Sequence, residues 1–288
     1  MLQISQLVIY PIKSLGGIAL TSAKVTDRGL QYDRRWMLID EANRFLSQRE
    51  NPQLALFIPE VLADGLRVTH RPDASFIHIP YRLLTPEMLE VTIWDDTCLA
   101  QRVSDDADQW FSQKLGIKCR LVYMPDETHR QTDLRYTQEG NITSFADAYP
   151  ALLIGQASLD DLNERMAHEL PMDRFRPNIV FTGGEAYSED VINEAIVNGI
   201  HLFGVKLCAR CVLTTVDQVT AIKGKEPLKT LARYRRKENK ILFGQNLVFK
   251  GQGELNVGDE LKVLSVHTAD RFIVPKLDEK KLKLRRLG

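Results

Sequence analysis

The chain predicts a mainly β, α+β protein made of barrel-like domains. Short runs of alternating or β-branched residues recur along it, and only three stretches carry helical spacing. That sparse helix content favours barrels over the strand–helix alternation of a βαβ sheet. Its 288 residues, 44% hydrophobic and 26% charged, suffice for one large or two ordinary domains with a sizeable core.

The elements follow in order. Alternation over residues 2–4 leads into residues 7–9, and Pro11 then breaks the ladder. Residues 35–39 and 44–47 flank Asp40-Glu41-Ala42-Asn43, a hairpin turn sequence. Residues 66–68, 76–79 and 89–94 continue the β pattern, and Asp95-Asp96 turns the chain into a strand over 98–103. A helix is predicted from Asp105, with Trp110, Phe111 and Leu115 on its inner face and Gly116 in the left-handed position that ends it. A second is predicted from Ser158, where Ser158-x-x-Asp161 resembles a capping box, and it buries Leu159, Leu162 and Met166. Between the two, residues 126–141 are polar and aperiodic and read as a long loop or linker. Strands return at 178–181, 200–205, 212–216, 241–249 and 261–264. A third helix over 227–236 carries Leu228, Leu231 and Ala232 inward, and the last two dozen residues read as a charged tail.

Charge excludes some functions. Lys+Arg and Asp+Glu both number 38, so no global basic field points to nucleic acid or an anionic membrane, although a local basic pocket is compatible. The N-terminus lacks the pattern of a signal peptide, and no apolar run approaches the ~20 residues of a membrane-spanning helix. Four cysteines in a chain this long do not make a disulfide scaffold. The expectation is a cytoplasmic protein with reduced thiols.

Chemistry concentrates in Lys206-Leu-Cys208-Ala-Arg210-Cys211-Val-Leu-Thr-Thr215-Val-Asp217. A thiol set between Lys206 and Arg210 has reason to ionise, and the thiolate is both the nucleophilic and the metal-binding form. A thioredoxin-like dithiol would require a helix after Cys211, which the β-branched sequence argues against. Zinc needs about four ligands, and no second ligand pair stands nearby. Both cysteines as small buried residues is an equal reading of the spacing alone. Arg174-Phe-Arg176-Pro-Asn178 offers two arginines two apart, on one face if extended, suited to phosphate or a heterocycle edge. Tyr10-Pro-Ile-Lys13-Ser14-Leu-Gly16-Gly17 combines a cation, a hydroxyl and free backbone, without the spacing of a P-loop. Asp33-Arg34-Arg35-Trp36 is a charge cluster entering a strand. Taken singly, each of these last three reads more readily as an ordinary surface or loop segment.

Together, and in this order, they resemble a known pattern. Tyr10-Pro-Ile-Lys13-Ser14 with Asp33-Arg-Arg-Trp36 resembles the N-terminal β-barrel domain that accompanies MOSC domains. Arg174-Phe-Arg-Pro-Asn178, Cys208-Ala-Arg-Cys211 with Thr214-Thr-Val-Asp217, Glu226-Pro-Leu-Lys229 and Leu242-Phe-Gly-Gln-Asn246 resemble the MOSC domain itself, as in YcbX-type proteins and the mitochondrial amidoxime-reducing component. The resemblance implies a MOSC N-terminal barrel over 1–122 packed on a MOSC barrel over 123–266, with a tail over 267–288. It implies a molybdenum cofactor between them, Mo-molybdopterin, with Cys211 as the metal's protein ligand. Lys13, Ser14 and Arg34 would hold its phosphate or pterin edge, and Arg176, Asn178 and Arg210 would complete the grip. Asn246 joins them at a position that is Tyr in the mitochondrial form. Cys211 and Arg210 would be the catalytic pair.

The implied reaction is two-electron reduction of N-hydroxylated compounds to amines or amidines. No cysteine follows Cys211, so no iron–sulfur cluster of the ferredoxin type is expected, and a flavodoxin, ferredoxin or flavin reductase would supply electrons. Neither nucleic acid nor membrane is expected as a partner. Ala209 and Tyr149 stand where mitochondrial relatives carry Ser, which bears on substrate range. Two other classes fit parts of the pattern. One is a carrier of cofactor or of sulfur on Cys211, and the other is a β-barrel interaction protein whose thiols only pack.

Overall fold

In a computed structural model, the structure describes residues 1–83 and 85–268. The largest sheet runs, by neighbour, through Ile18–Leu20, Gln3–Ile9, Ile179–Thr182, Ala151–Gly155, Lys240–Lys250, Ile200–Ala209, Ile192–Val197 and Lys262–Val266. Every pair is antiparallel except Ala151–Gly155 beside Ile179–Thr182. The sheet curls into a half-barrel around Leu7, Leu153, Phe181, Leu202 and Leu247. Period-two alternation explains its faces: in Gln3–Ile9, Ile4, Leu7 and Ile9 are buried, with a bulge between Ile4 and Gln6 resetting the register. The fold is mainly β, as the sequence predicts.

The first thirty residues are hydrogen-bonded to the second half of the chain. Gln3–Ile9 pairs with Ile179–Thr182, and Ser22–Thr26 pairs with Gly253–Asn256. The intervening segment builds a four-stranded sheet ordered Trp36–Ile39, Arg120–Tyr123, Asp96–Arg102, Met88–Ile93. A three-stranded sheet of Phe57–Val61, Gly65–His70 and Phe76–Pro80 adds to it. Trp36, Leu38, Phe57, Val68, Phe111 and Leu121 form their shared core.

The helix Asp105–Leu115 starts and stops where the sequence places it. The Ser104 side chain accepts from the Ala107 amide, and Gly116 at φ 70° closes the last turn. Phe111 and Leu115 are buried, and Trp110 packs edge-on against Phe111.

Four local expectations are corrected. The second helix is Gln156–Glu164 and begins before Ser158. The Ser158 hydroxyl is not a cap: it donates to Glu189 Oε2 and accepts from the Tyr187 amide, both buried contacts from another segment. The third helix shrinks to one turn, Leu228–Leu231, because Arg235 turns inward to Asp190 Oδ2 and the Leu242 carbonyl and draws Arg236–Lys237 into a strand. Residues 212–216 are no strand. Val212–Thr215 forms a 3₁₀ turn whose hydroxyls, Thr214 and Thr215, bond back to the Cys211 and Val212 carbonyls. Residues 126–141 are not wholly irregular, since Arg130–Gln131 pairs with Ile142–Thr143. The predicted tail, residues 267–288, lies outside the described residues beyond position 268. Among the described residues no helix is long and apolar enough to cross a membrane.

Candidate functional site

A cavity of about 250 Å³ opens where the loop after the first strand, the loop before Ile179–Thr182 and the end of Ile200–Ala209 converge. Lys13, Ser14, Arg34, Arg176, Asn178, Arg210, Cys211 and Asn246 all line it. The structure therefore brings together the eight residues that the family resemblance assigns to the cofactor.

Backbone strain concentrates here. Ser14 (φ 70°), Arg34 (φ 49°) and Arg176 (φ 56°) all hold the left-handed conformation, which side-chain-bearing residues rarely adopt. Each is held by neighbours. The Lys13 amide donates to the Trp36 carbonyl and the Arg34 amide to the Tyr10 carbonyl, locking the two loops side by side. The reversal at Arg176 also corrects the expectation that Arg174 and Arg176 share a face. Arg174 instead reaches the Thr214 and Thr215 carbonyls and Asp217, whereas Arg176 turns to the cavity and the Tyr10 ring, 4.1 Å from its centroid.

The walls are cationic. Lys13, Arg34, Arg49, Arg176, Lys206 and Arg210 line the cavity against a single carboxylate, Asp147. Lys13 is buried, and its ammonium donates to the Phe145 carbonyl at 2.7 Å and to Asp147 at 2.6 Å. Burial draws its pKa down to about 8 against the opposing pull of Asp147. Asp147, more than half exposed at the cavity mouth, is held below the usual carboxylate range by the Lys13 charge. Burial lowers the Arg176 pKa to about 10, with the nearby Tyr10 opposing.

Several polar groups lean on the protein, others are left open. Asn178 donates to the Val8 carbonyl and accepts from Arg34 and from the Leu152 amide, so it ties three segments and aims Arg34. Asn246 donates to the Lys206 carbonyl at a bulge in the strand pair. Arg210 donates to the Phe175 carbonyl at 2.6 Å and points Nη1 at Cys208 Sγ, 3.0 Å away. By contrast Arg176 Nη1, Arg210 Nε and the Tyr149 hydroxyl are buried with no hydrogen-bond partner among the described residues. Cys211 is half-buried, with a free thiol, at the start of the 3₁₀ turn. Buried cations with unused donors around a free thiol suit an anionic ligand that also offers a soft metal.

Arg49, Asp147 and Phe175 escaped the sequence reading. Asp147 meets Lys13 across 134 residues, and no local pattern signals such a pairing. Cys98 and Cys119 lie elsewhere, and among the described residues no group of three His, Cys, Asp or Glu side chains could hold a metal.

Residues 1–118 match the family described as MOSC N-terminal beta barrel domain, and residues 141–262 match the MOSC domain. The chain is 33% identical over 279 residues to mitochondrial amidoxime-reducing component 1 of Mus musculus, covering 91% of this chain and 82% of that one. It is 33% identical over 276 residues to mitochondrial amidoxime reducing component 2 of Rattus norvegicus, covering 89% and 81%. It is also 30% identical over 302 residues to a molybdenum cofactor sulfurase of Oryza sativa subsp. japonica, covering 91% of this chain and 35% of that protein.

Proposed function

The chain belongs to the MOSC family whose members carry a MOSC N-terminal beta barrel domain, and from that premise we propose that it reduces N-hydroxylated compounds with a molybdenum cofactor. The names of its amidoxime-reducing relatives support that chemistry. The observation that carries the reading is the convergence of cations from distant segments on one cavity beside the free Cys211 thiol.

The residues fit the group. Arg176 Nη1 and Arg210 Nε, buried and unpartnered among the described residues, would donate to its phosphate and pterin edge, and Lys13 and Arg34 would add charge. Cys211 would ligate the metal, a thiolate being the soft donor that a dithiolene-bound molybdenum prefers. When bound, the cofactor supplies the two-electron redox chemistry.

The chain's own residues bind and orient. Tyr10 holds both arginine planes, with Arg34 4.3 Å and Arg176 4.1 Å from its ring centroid, so the guanidinium groups cannot swing away. Asp33, itself buried, grips Arg34 at 2.6 Å and keeps its remaining donors aimed at the cavity. Asp147 stays an anion and fixes the buried Lys13 ammonium at the cavity wall. Electrons come from a separate protein, in the cytoplasm. The cofactor would lie between residues 1–122 and 123–266, the two units that the family resemblance implies.

Metal and pterin analysis of protein made in a molybdenum-replete host tests this. Both are expected in the native chain, while Cys211→Ser should stay folded and lose most of the metal. A native protein without pterin or molybdenum refutes the reading. The sulfurase relative favours one alternative, a carrier of sulfur on Cys211, for which cyanide-releasable sulfur on that residue is the mark.

A further inference from the structure

We propose that two basic protrusions flanking the Cys211 loop form the docking surface for a small acidic electron-carrier protein; this rests on the reduction proposed above. Between residues 218 and 240 the chain exposes seven Lys and Arg against two Glu in that stretch, an eighth cation, Arg235, being buried on Asp190, on a molecule whose totals are 38 and 38. That concentration is a local field on a neutral protein.

The first protrusion is a rigid tip. The Asp217 amide donates to the Ile222 carbonyl, and the Ala221 amide to that of Asp217. Asp217 Oδ1 accepts from the Val219 and Thr220 amides and from the Thr220 hydroxyl. Arg174 holds the same carboxylate from beneath at 3.2 Å. This frame presents Val219 (56% exposed) and Ile222 (68% exposed) to solvent, with Lys223, Lys225 and Lys229 exposed behind them. The tip is tied to the cavity's rim, because Lys223 Nζ donates to the carbonyl of Arg49, a wall residue.

The second protrusion is the hairpin of Arg236–Lys237 with the start of Lys240–Lys250. Its side chains Arg236, Lys237 and Lys240 are exposed. The Arg210 amide donates to the Ile241 carbonyl at 2.7 Å, fastening the Cys211 loop to this hairpin. The thiol-bearing loop thus emerges between two cationic arms, one with an apolar tip.

A small apolar centre rimmed by one sign of charge fits a transient redox encounter, where charge steers and the buried area stays small. The reaction needs such a visitor: R–NHOH + 2 e⁻ + 2 H⁺ gives R–NH₂ + H₂O. Two reduced one-electron carriers are each oxidised once, and solvent supplies the protons. A rigid β-branched tip suits a protein surface better than a bilayer, which prefers an amphipathic helix.

The test uses holoenzyme turning over an aromatic amidoxime. Electrons come either from reduced methyl viologen or from an acidic plant-type ferredoxin or flavodoxin. Lys225→Glu/Lys229→Glu should cut carrier-supported kcat/KM by about tenfold and flatten its salt dependence, and should not lower the viologen rate. Val219→Ser/Ile222→Ser, which leaves every charge in place, should weaken the carrier-supported rate alone. The proposal is overturned if both variants keep the native carrier rate, or if the native enzyme works with viologen and with neither carrier. It is likewise overturned if both rates fall together in both variants. Loss of sedimentation with phosphatidylserine vesicles at an unchanged carrier rate would assign the patch to lipid instead. A native enzyme inactive with viologen would refute the reduction itself.

Discussion

Glu189 is a carboxyl group sealed from water, with Oε2 bonded to Ser158 and Oε1 buried without a partner. Burial first, then the adjacent Asp190 carboxylate, pushes its pKa up to about 7. A raised carboxyl pKa makes the folded state hold its proton while the unfolded chain, at the ordinary 4.5, has released it. Its contribution to stability is therefore whole below pH 4.5 and is lost as pH rises towards 7. Melting temperature should fall over that window in the native protein, and Glu189→Gln should remove most of that slope. An identical slope in the variant would show that other groups set it. Asp190 beside Glu189 is visible in the sequence, but the burial that dominates and the Ser158 contact 31 residues away are not. The same limit hid Arg49 and Asp147 from the site. Cys211, Arg176 and Lys13 were legible because each sits in a short motif that resembles the family's, although the partners of Lys13 and Arg176 come from remote segments.

Elements were legible where their signals are local. The helix expected near Asp105, with an apolar stripe and a terminal glycine, is found as Asp105–Leu115, and the structure adds Ser104 as its cap. Ser104→Ala should cost about 1 kcal/mol in urea unfolding, since the Ala107 amide loses its acceptor. A cost near zero would mean that water replaces the cap freely. Gln156–Glu164 shows the opposite case, its apparent capping serine being taken by Glu189 and Tyr187. Residues 212–216 read as a strand by β-branching, yet threonine hydroxyls bonding their own backbone close a 3₁₀ turn there. Propensity yields to side-chain competition at both places.

At the scale of the molecule, the strand pairs bind the chain's two halves into one hydrogen-bonded body. Trp36, Trp94 and Trp110 are the only tryptophans, and all lie in the first half. Leu247, wholly buried in the large sheet, lies in the second. Leu247→Ala should therefore lower the urea midpoint seen by tryptophan fluorescence as much as that seen by far-ultraviolet circular dichroism, with a loss of about 2–5 kcal/mol. A fluorescence midpoint that stays put while the dichroism shifts would mean that the halves unfold independently.

The partnership of Ser22–Thr26 with Gly253–Asn256 has a consequence in time. Val25 faces Gly253, which leaves the ribosome 228 residues later. At roughly 5–20 residues per second, the newborn edge waits about 10–45 s for its mate. Throughout that interval one edge of this strand, whose other side meets only the short Gly29–Leu30, stands open to any other nascent or misfolded polypeptide.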